Sequence, residues 1–524
     1  MMPCKRRELA NNHHHPLIMT PSNYQIDIFN WIENGIGNAI VNAKAGSGKT
    51  TTAIQGITRM AGSVLMLAFN KKIVVELQSR LSTMGCPHAS AATFHSEGMK
   101  VFLKNKPGAK VFTGKVYNIV QLFTESGPLM KCRSTIMKLV SFAKNSGFGI
   151  DGCPSIDDTE AWVNIIRHQD IDIDMDIDIA DLIEVCKQVL VLNNRDVKNI
   201  DFDDMIYLPL LFNHNFTKYD WIIVDEAQDT NVVRKLMMEK LLGDNGRLLA
   251  LGDPGQAIYG FTGAENDSMN LIRDMFKAVE LPLSVCYRCG HNIIAAAQKY
   301  VPDIVAFEGN GEGTISDMRH EDFIKTAESL NLSKADGVIC RNNAPLVSLA
   351  FALIRQGIGC RIEGKDIGKN LVTLTNKWRV NDLATFTLRL QNHFNREMEK
   401  AKGAKLANLE DKYETMLILI ERCQSLGKHD LNSLRKLISD MFSDNDDYNL
   451  PNVVTLSSIH KSKGLEFERC FILGMAQFQP SKYATQDWMK VQEDNLAYVA
   501  ITRAKNTLVH ITDVPTKRAN TVEE

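Results

Sequence analysis

The sequence predicts an α/β protein with two parallel-sheet domains, each interrupted by a mainly helical insertion. Three observations carry this expectation. Short apolar runs with polar flanks occur early, at 38–42 (NAIVN), 64–69 (VLMLAF), 221–224 (WIIV) and 248–251 (LLAL). A second set follows much later, at 338–340 (VIC), 453–456 (VVTL) and 470–473 (CFIL). Runs this short suit strands buried on both faces. Two long stretches, 97–200 and 375–450, instead space apolar residues among charges, as in TFTLRLQNHFNREMEK, which suits amphipathic helices. Strands alternating with helices imply α/β layers, and the gap between the two sets implies two sheets.

Composition sets the outer bounds. The chain has 524 residues, 44% apolar, 23% charged and 7% aromatic, with a formal net charge of -2. At about 100–200 residues per domain, three or four domains are expected. Such a balance excludes a largely disordered chain, a collagen and a disulfide miniprotein. No apolar run approaches the roughly 18–20 residues needed to span a bilayer. The amino-terminal tail, MMPCKRRELANNHHHPLIM, lacks an apolar signal core, so secretion is not expected and its three histidines read as an unstructured tail. The eleven cysteines then read as reduced thiols, Cys286 and Cys289 included, for want of a second CxxC beside them.

Near-neutral net charge argues against a nucleic-acid coat held by global electrostatics. Locally, charge is uneven. Residues 98–150 hold nine Lys or Arg against one acid, whereas 151–204 hold fifteen acids against four bases. That split suggests two faces with different partners. The basic stretch, interleaved with Phe102, Phe112, Tyr117 and Phe123, is a candidate DNA surface, with a solvated lysine face weighing about as much. The run 170–179 (DIDIDMDIDI) alternates like a strand, but repeated Asp suits neither a strand nor an EF-hand loop, so an acidic surface segment is expected.

Chemistry enters with Ala45-Gly-Ser-Gly-Lys-Thr50, which follows the first strand and opens a helix expected over 50–60. Backbone N–H groups of Ala45, Gly46, Ser47, Gly48 and Thr51 can cradle phosphates. Lys49 can reach the β- and γ-phosphates, and Thr50 can ligate Mg²⁺. Ala43 stands where the full pattern has glycine. The second signal, IIVDEAQD at 222–229, ends a strand in Asp225 and Glu226, one carboxylate for Mg²⁺ and one for an attacking water. Together the two motifs imply hydrolysis of a nucleoside triphosphate.

The wider order of motifs resembles the UvrD/Rep branch of superfamily 1 DNA helicases, with their phage-encoded and F-box relatives. The matching strings include Gln25, AKAGSGKT (43–50), AFNKK (68–72), TFHS (93–96), DFDDM (201–205), VDEAQD (224–229), GDPGQAIYGFTGA (252–264), CYRC (286–289), LSSIHKSKGLEF (456–467) and NLAYVAITRAK (495–505). The resemblance implies two RecA-like P-loop domains. The first would span 1–96 and 201–280, with insertion 97–200. The second would span 281–374 and 451–524, with the short insertion 375–450. It implies a DNA-dependent ATPase using ATP and Mg²⁺, acting on single-stranded and tailed or forked duplex DNA with 3′→5′ polarity, in replication, recombination or repair. A translocase that mainly displaces proteins from single strands is the alternative.

Carried over residue by residue, the resemblance places Gln25 on the adenine, Tyr287 on the base, Gln256 at the γ-phosphate, Arg288 and Arg503 as arginine donors, and Gly464 and Glu466 at the nucleotide. Phe69, Tyr259 and Phe261 would stack bases, while Thr93, His95, Ser458 and His460 would contact the DNA backbone. Phe261 and Thr262 depart from the family's Trp and Arg, and Asp494 and Asn495 from its basic residues. Only about nineteen residues follow Lys505, so no fused nuclease is expected. A monomer, with replication or recombination proteins as partners, no membrane contact and a cytoplasmic location (nuclear if eukaryotic), completes the expectation.

Overall fold

The computed structural model describes residues 21–173, 177–260, 263, 267–356, 358–442 and 453–515. Two six-stranded sheets, parallel throughout, organise it. The first contains β1 (Ala39–Ala43), β2 (Val64–Ala68), β3 (Ala89–Thr93), β4 (Tyr219–Val224), β5 (Leu242–Gly252) and β6 (Val279–Leu283), in the order β3-β2-β4-β5-β1-β6. The second contains β7 (Thr314–Arg319), β8 (Asp336–Cys340), β9 (Gly359–Ile362), β10 (Val453–Ser458), β11 (Phe467–Leu473) and β12 (Ala504–Thr512), in the order β7-β12-β11-β8-β10-β9.

The central strands are apolar on both faces because both are covered. In β2, Leu65 and Leu67 enter one core while Val64, Met66 and Ala68 enter another. The period-two side-chain alternation of a strand produces this division. The first core is shared with the helices between β3 and β4, through Phe102, Trp162 and Leu182. One face of the second sheet packs against the helices Leu383–Lys400 and Gly403–Ser425, through Phe386, Phe394 and Met416. Its other face joins Ile339 and Ile472 to Ala45 of the first domain, so one apolar core crosses the boundary between domains.

The acidic run resolves differently from its alternating pattern. Residues 171–173 have no regular structure, 174–176 lie outside the described residues, and Asp178 caps the helix Ile179–Arg195 by accepting from the Ala180 N–H at 2.8 Å. Among the described residues no group of three or more His, Cys, Asp or Glu side chains is placed to hold a metal ion. No described helix is long and apolar enough to cross a membrane.

Part of the charge split proves internal. Lys115 and Lys144 belong to the basic stretch, yet both are buried, and they pair with Asp204 at 2.7 and 2.8 Å. Lys144 also meets Asp201 at 2.6 Å, and Asn193 donates to Asp204 at 2.9 Å. Burial alone would lower the Lys144 pKa, but Asp204 and Asp201 raise it, so the cation persists. The network pins the helices Lys115–Phe123 and Arg133–Asn145 to the DFDD segment. Removing one partner of such a cluster strands buried charge. Asp204→Ala is therefore expected to destabilise this domain by about 3–5 kcal/mol, read as a fall in its thermal midpoint against the wild type. An unchanged midpoint would show the cluster to be neutral. Lys104, Lys106 and Lys110 stay exposed and remain available to an external partner, whereas Phe102 is core.

Candidate active site and nucleic-acid groove

β1 delivers the chain into the loop 45–48, and helix Lys49–Ile57 starts directly behind it. Gly46 and Gly48 adopt left-handed backbone, φ 67° and 80°. At Gly46 a Cβ would lie 2.7 Å from both the Cys286 Sγ and the Arg288 Cβ, so only glycine admits the second domain's chain this closely. The Tyr287 N–H donates to the Gly46 carbonyl at 2.9 Å. The Ala45 N–H donates to the Tyr498 hydroxyl at 2.9 Å. Ser47 Oγ is buried without a hydrogen-bond partner. An orphaned hydroxyl beside the helix N-terminus fits a phosphate cradle. Thr51, the third residue of the helix, is exposed.

Across the loop, β4 ends in the two carboxylates. Thr50 Oγ1 donates to Asp225 Oδ2 at 2.9 Å, which sets a hydroxyl and a carboxylate side by side. This hard-oxygen pair suits Mg²⁺, which takes few protein ligands and keeps waters and phosphate oxygens. Burial, and then the Glu226 charge, push Asp225 up to about 6. A divalent cation there would act in the opposite direction. Glu226 has φ 54°, a conformation that side chains rarely adopt and that points to a functional constraint. Lys49 Nζ stands 3.6 Å from Glu226 Oε1, and Gln228 Nε2 donates to Oε2 at 2.5 Å. Burial alone would raise the Glu226 pKa, but Lys49 and Lys463 outweigh it and hold it at about 2.

The remaining nucleotide residues fall into two groups. Gln25 is buried beside the loop, donating to Thr52 Oγ1 at 2.8 Å and closing a capping box with Ser22. Tyr287 packs on Phe307 with centroids 4.9 Å apart. Arg288 is paired with Glu466 at 2.7 Å, and Lys505 meets the same carboxylate at 2.9 Å. Gly464 is exposed at φ 88°. Gln256 turns inward, donating to Asp253 Oδ2 at 2.7 Å. Arg503 is fully buried, and its three nitrogens donate to the Val499 carbonyl, the Leu465 carbonyl and the Thr502 hydroxyl. Asn495 donates to the carbonyls of Pro254 and Ala257 at 3.2 and 2.9 Å, a neutral strap between domains.

A groove of about 430 Å³ opens beside this site, lined by Phe69, His95, Lys138, Phe142, Asp229 and Arg234 among others. Phe69, 41% exposed at the end of β2, stacks on Tyr259 with centroids 5.8 Å apart and planes 7° from parallel. The Tyr259 hydroxyl donates to the His460 carbonyl at 3.3 Å. Burial, and then Arg234, lower His95 to about 4; burial, and then Arg341, lower His460 to about 3. Both rings are therefore neutral at neutral pH and offer a phosphate hydrogen bonds, not charge. Thr93 caps the helix Phe94–Asn105 by accepting from the Ser96 N–H at 3.1 Å. Ser458 Oγ accepts from the Lys461 N–H at 3.3 Å. Phe261 and Thr262 lie outside the described residues. Elsewhere His168 stacks on Trp488 at 5.4 Å, joining the first insertion to the second domain.

Several site residues carried no assigned role in the sequence. Lys463 donates to Asp229 at 2.6 Å and to the Gln256 carbonyl at 2.8 Å. Tyr498 bridges the phosphate loop and Asp253. Both lie within quoted motifs, so their motif membership was the available signal. Arg234, which stands 5.3 Å over the Phe69 ring, had none.

Comparison with known proteins agrees with this geometry. Residues 28–277 match the UvrD/REP helicase N-terminal domain, and residues 365–513 match the UvrD-like helicase C-terminal domain. The probable DNA helicase II homolog of Mycoplasma genitalium is 23% identical over 585 residues, covering 91% of this chain and 83% of that protein. The ATP-dependent DNA helicase UvrD2 of Mycobacterium tuberculosis is 23% identical, covering 90% and 75%. The ATP-dependent DNA helicase Rep of Buchnera aphidicola is 26% identical over a shorter region, 52% of this chain and 43% of that one.

Proposed function

The chain belongs to the UvrD/REP helicase family and is an ATP-dependent DNA helicase, and from that premise we propose that it travels 3′→5′ along single-stranded DNA by closing and opening the cleft between its two sheets. The observation that supports this reading best is the Phe69–Tyr259 ring pair, whose Phe69 lines a groove also lined by Asp229, a residue of the same segment as Glu226. Stacking on aromatic faces is tolerant of sequence, which a motor on any strand requires.

In the proposed cycle Ala45–Thr51 cradle ATP, with Lys49 on its phosphates and Thr50 with Asp225 on Mg²⁺. Gln25 and Tyr287 hold the base. Glu226 orients and polarises the attacking water, and Gln256 senses the terminal phosphate. Arg288 and Arg503 neutralise charge developing on the phosphoryl oxygens, with Gly464 and Glu466 facing the nucleotide from the second domain. Phe69, Tyr259 and Phe261 grip bases, while Thr93, His95, Ser458 and His460 hold the strand's backbone. The proposed division is 1–96 with 201–280 and 281–374 with 451–524 as motor domains, carrying insertions 97–200 and 375–450. Action as a monomer in bacterial replication, recombination or repair, within the cytoplasm, belongs to the same proposal.

Replacing Phe69 and Tyr259 together by Ala should weaken single-strand binding by about 1–3 kcal/mol per stacked base and uncouple ATP use from movement. That loss should persist at raised salt. Replacing Lys104, Lys106 and Lys110 by Ala should instead flatten the salt dependence, since fewer counterions are released. Binding by the aromatic double variant at wild-type strength would remove the base track. The overall reading is tested by ATPase activity with and without single strands, then by unwinding of duplexes with 3′ or 5′ tails. Protein displacement without strand separation at equal ATPase rate would select the alternative, a translocase that clears proteins from single strands.

A further inference from the structure

We propose that Lys463 couples the aromatic base platform to the hydrolytic carboxylate, as a positioning residue acting through Glu226. This rests on the reading above that Phe69 and Tyr259 grip bases of a single strand, and adds that a base enters between the two rings and that strand binding stimulates ATP turnover. Lys463 follows β10 in the second domain, yet its ammonium sits among first-domain groups. Besides its bonds to Asp229 and to the Gln256 carbonyl, it lies 3.9 Å from Glu226 Oε2 and 5.0 Å from the Tyr259 ring centroid. The side chain is 9% exposed. A buried ammonium stays only where partners replace its water, so these four groups dictate its position.

The opposite side of the ring pair is built the same way. Arg234 lies over Phe69 and donates to the Asp229 backbone carbonyl at 2.9 Å. Two stacked rings are thus bracketed by two cations, both tied to Asp229, and one of these cations also faces Glu226. The rings stand 5.8 Å apart. A base entering between them requires two van der Waals layers, roughly 7 Å, so entry must displace a ring. Tyr259 is bound to Lys463 by a desolvated cation–π contact, the strong form of that interaction. Its movement carries the ammonium with it. Asp229 Oδ1 is buried and accepts no hydrogen bond, which gives the ammonium a second acceptor to pivot towards on the same carboxylate. Each shift changes how Glu226 is held between Lys463, Lys49 and Gln228, and base entry is thereby registered at the water-orienting group.

The test uses the full chain and a single-stranded DNA oligonucleotide of mixed sequence, measuring turnover with saturating strand and without it. Lys463→Gln should reduce the stimulation ratio roughly tenfold, within the usual range of coupling between two sites, through kcat and with the KM for ATP unchanged. Lys463→Arg keeps the charge and should restore most of the stimulation. Combined with Tyr259→Leu, Lys463→Gln should add no further loss, because both changes cut the same link. Wild-type stimulation in Lys463→Gln, additive losses in the double variant, or failure of Arg to rescue would each overturn the coupling. Should Lys463→Gln not fold, Tyr259→Leu decides: it must lower stimulation at saturating strand, and unchanged stimulation overturns the proposal. A wild type without stimulation would remove the proposed function and this coupling together. Stimulation that survives Lys463→Gln removes the coupling alone.

Discussion

Glu226→Gln should bind nucleotide as the wild type does and turn it over about 10²–10⁴-fold more slowly, the usual contribution of a positioned acid–base group. The amide is nearly isosteric and can still accept from Gln228, so the local geometry survives. It loses the negative charge that faces Lys49 at 3.6 Å and Lys463 at 3.9 Å. Held at about 2 by those cations, the wild-type carboxylate is ionised throughout the neutral range. On the proposed reading it would act chiefly by orienting and polarising water, which the amide does poorly. Single-turnover hydrolysis of bound ATP measures the effect without interference from product release. A rate within a few-fold of wild type would move the water-orienting role to another group.

The reason that this site was legible in the sequence is local. Phosphate binding needs glycine at Gly46 and Gly48, a lysine and a hydroxyl in fixed succession, and one turn of backbone supplies them all. The strand ending in Asp225 and Glu226 is equally compact. Contacts that no local string encodes depend on long-range approach: Lys463 reaches Asp229 across 234 positions, and Tyr498 reaches Ala45 across 453.

The strands divide in a similar way. Central strands such as β2 and β4 are buried on both faces and read as apolar runs. The sheet edges do not. β3 is ASAAT, β6 is VELPL and β7 is TISDMR, the last exposed along most of its length, and none shows a continuous apolar run. An edge strand needs less covering, so its sequence carries a weaker signal. β12 is central but broken by Lys505, Asn506 and His510, which hid it for a different reason. The basic stretch 98–150 misled in part because sequence cannot distinguish an exposed lysine from Lys144, which is fully buried between Asp201 and Asp204.

Arg503→Ala should lower ATP turnover by about 10³-fold, the low end of what an arginine finger contributes, and should also lower stability. The second effect follows from its surroundings. Burial, and then the nearby Arg288, lower its pKa to about 10, so it stays a cation at neutral pH. Its nitrogens satisfy the Leu465 and Val499 carbonyls, each at 2.9 Å. Losing both donors leaves the part-buried Leu465 carbonyl without this partner and the Val499 carbonyl with the Thr502 hydroxyl at 3.2 Å, at a total cost of about 1–3 kcal/mol. To serve a phosphate the guanidinium must turn away from at least one of them, so closure of the cleft has to provide the exchange. Arg503→Lys separates the two roles. It retains a charge near the cleft but not the planar fork, so turnover should stay low while the thermal midpoint recovers part of its fall. Arg288→Ala offers the contrast: it breaks the 2.7 Å pair with Glu466 at a half-buried site, and its effect on the midpoint should be small. If Arg503→Ala lowers the midpoint yet turns over ATP at the wild-type rate, Arg503 is a strut within the second domain and the charge-neutralising role belongs to Arg288 alone.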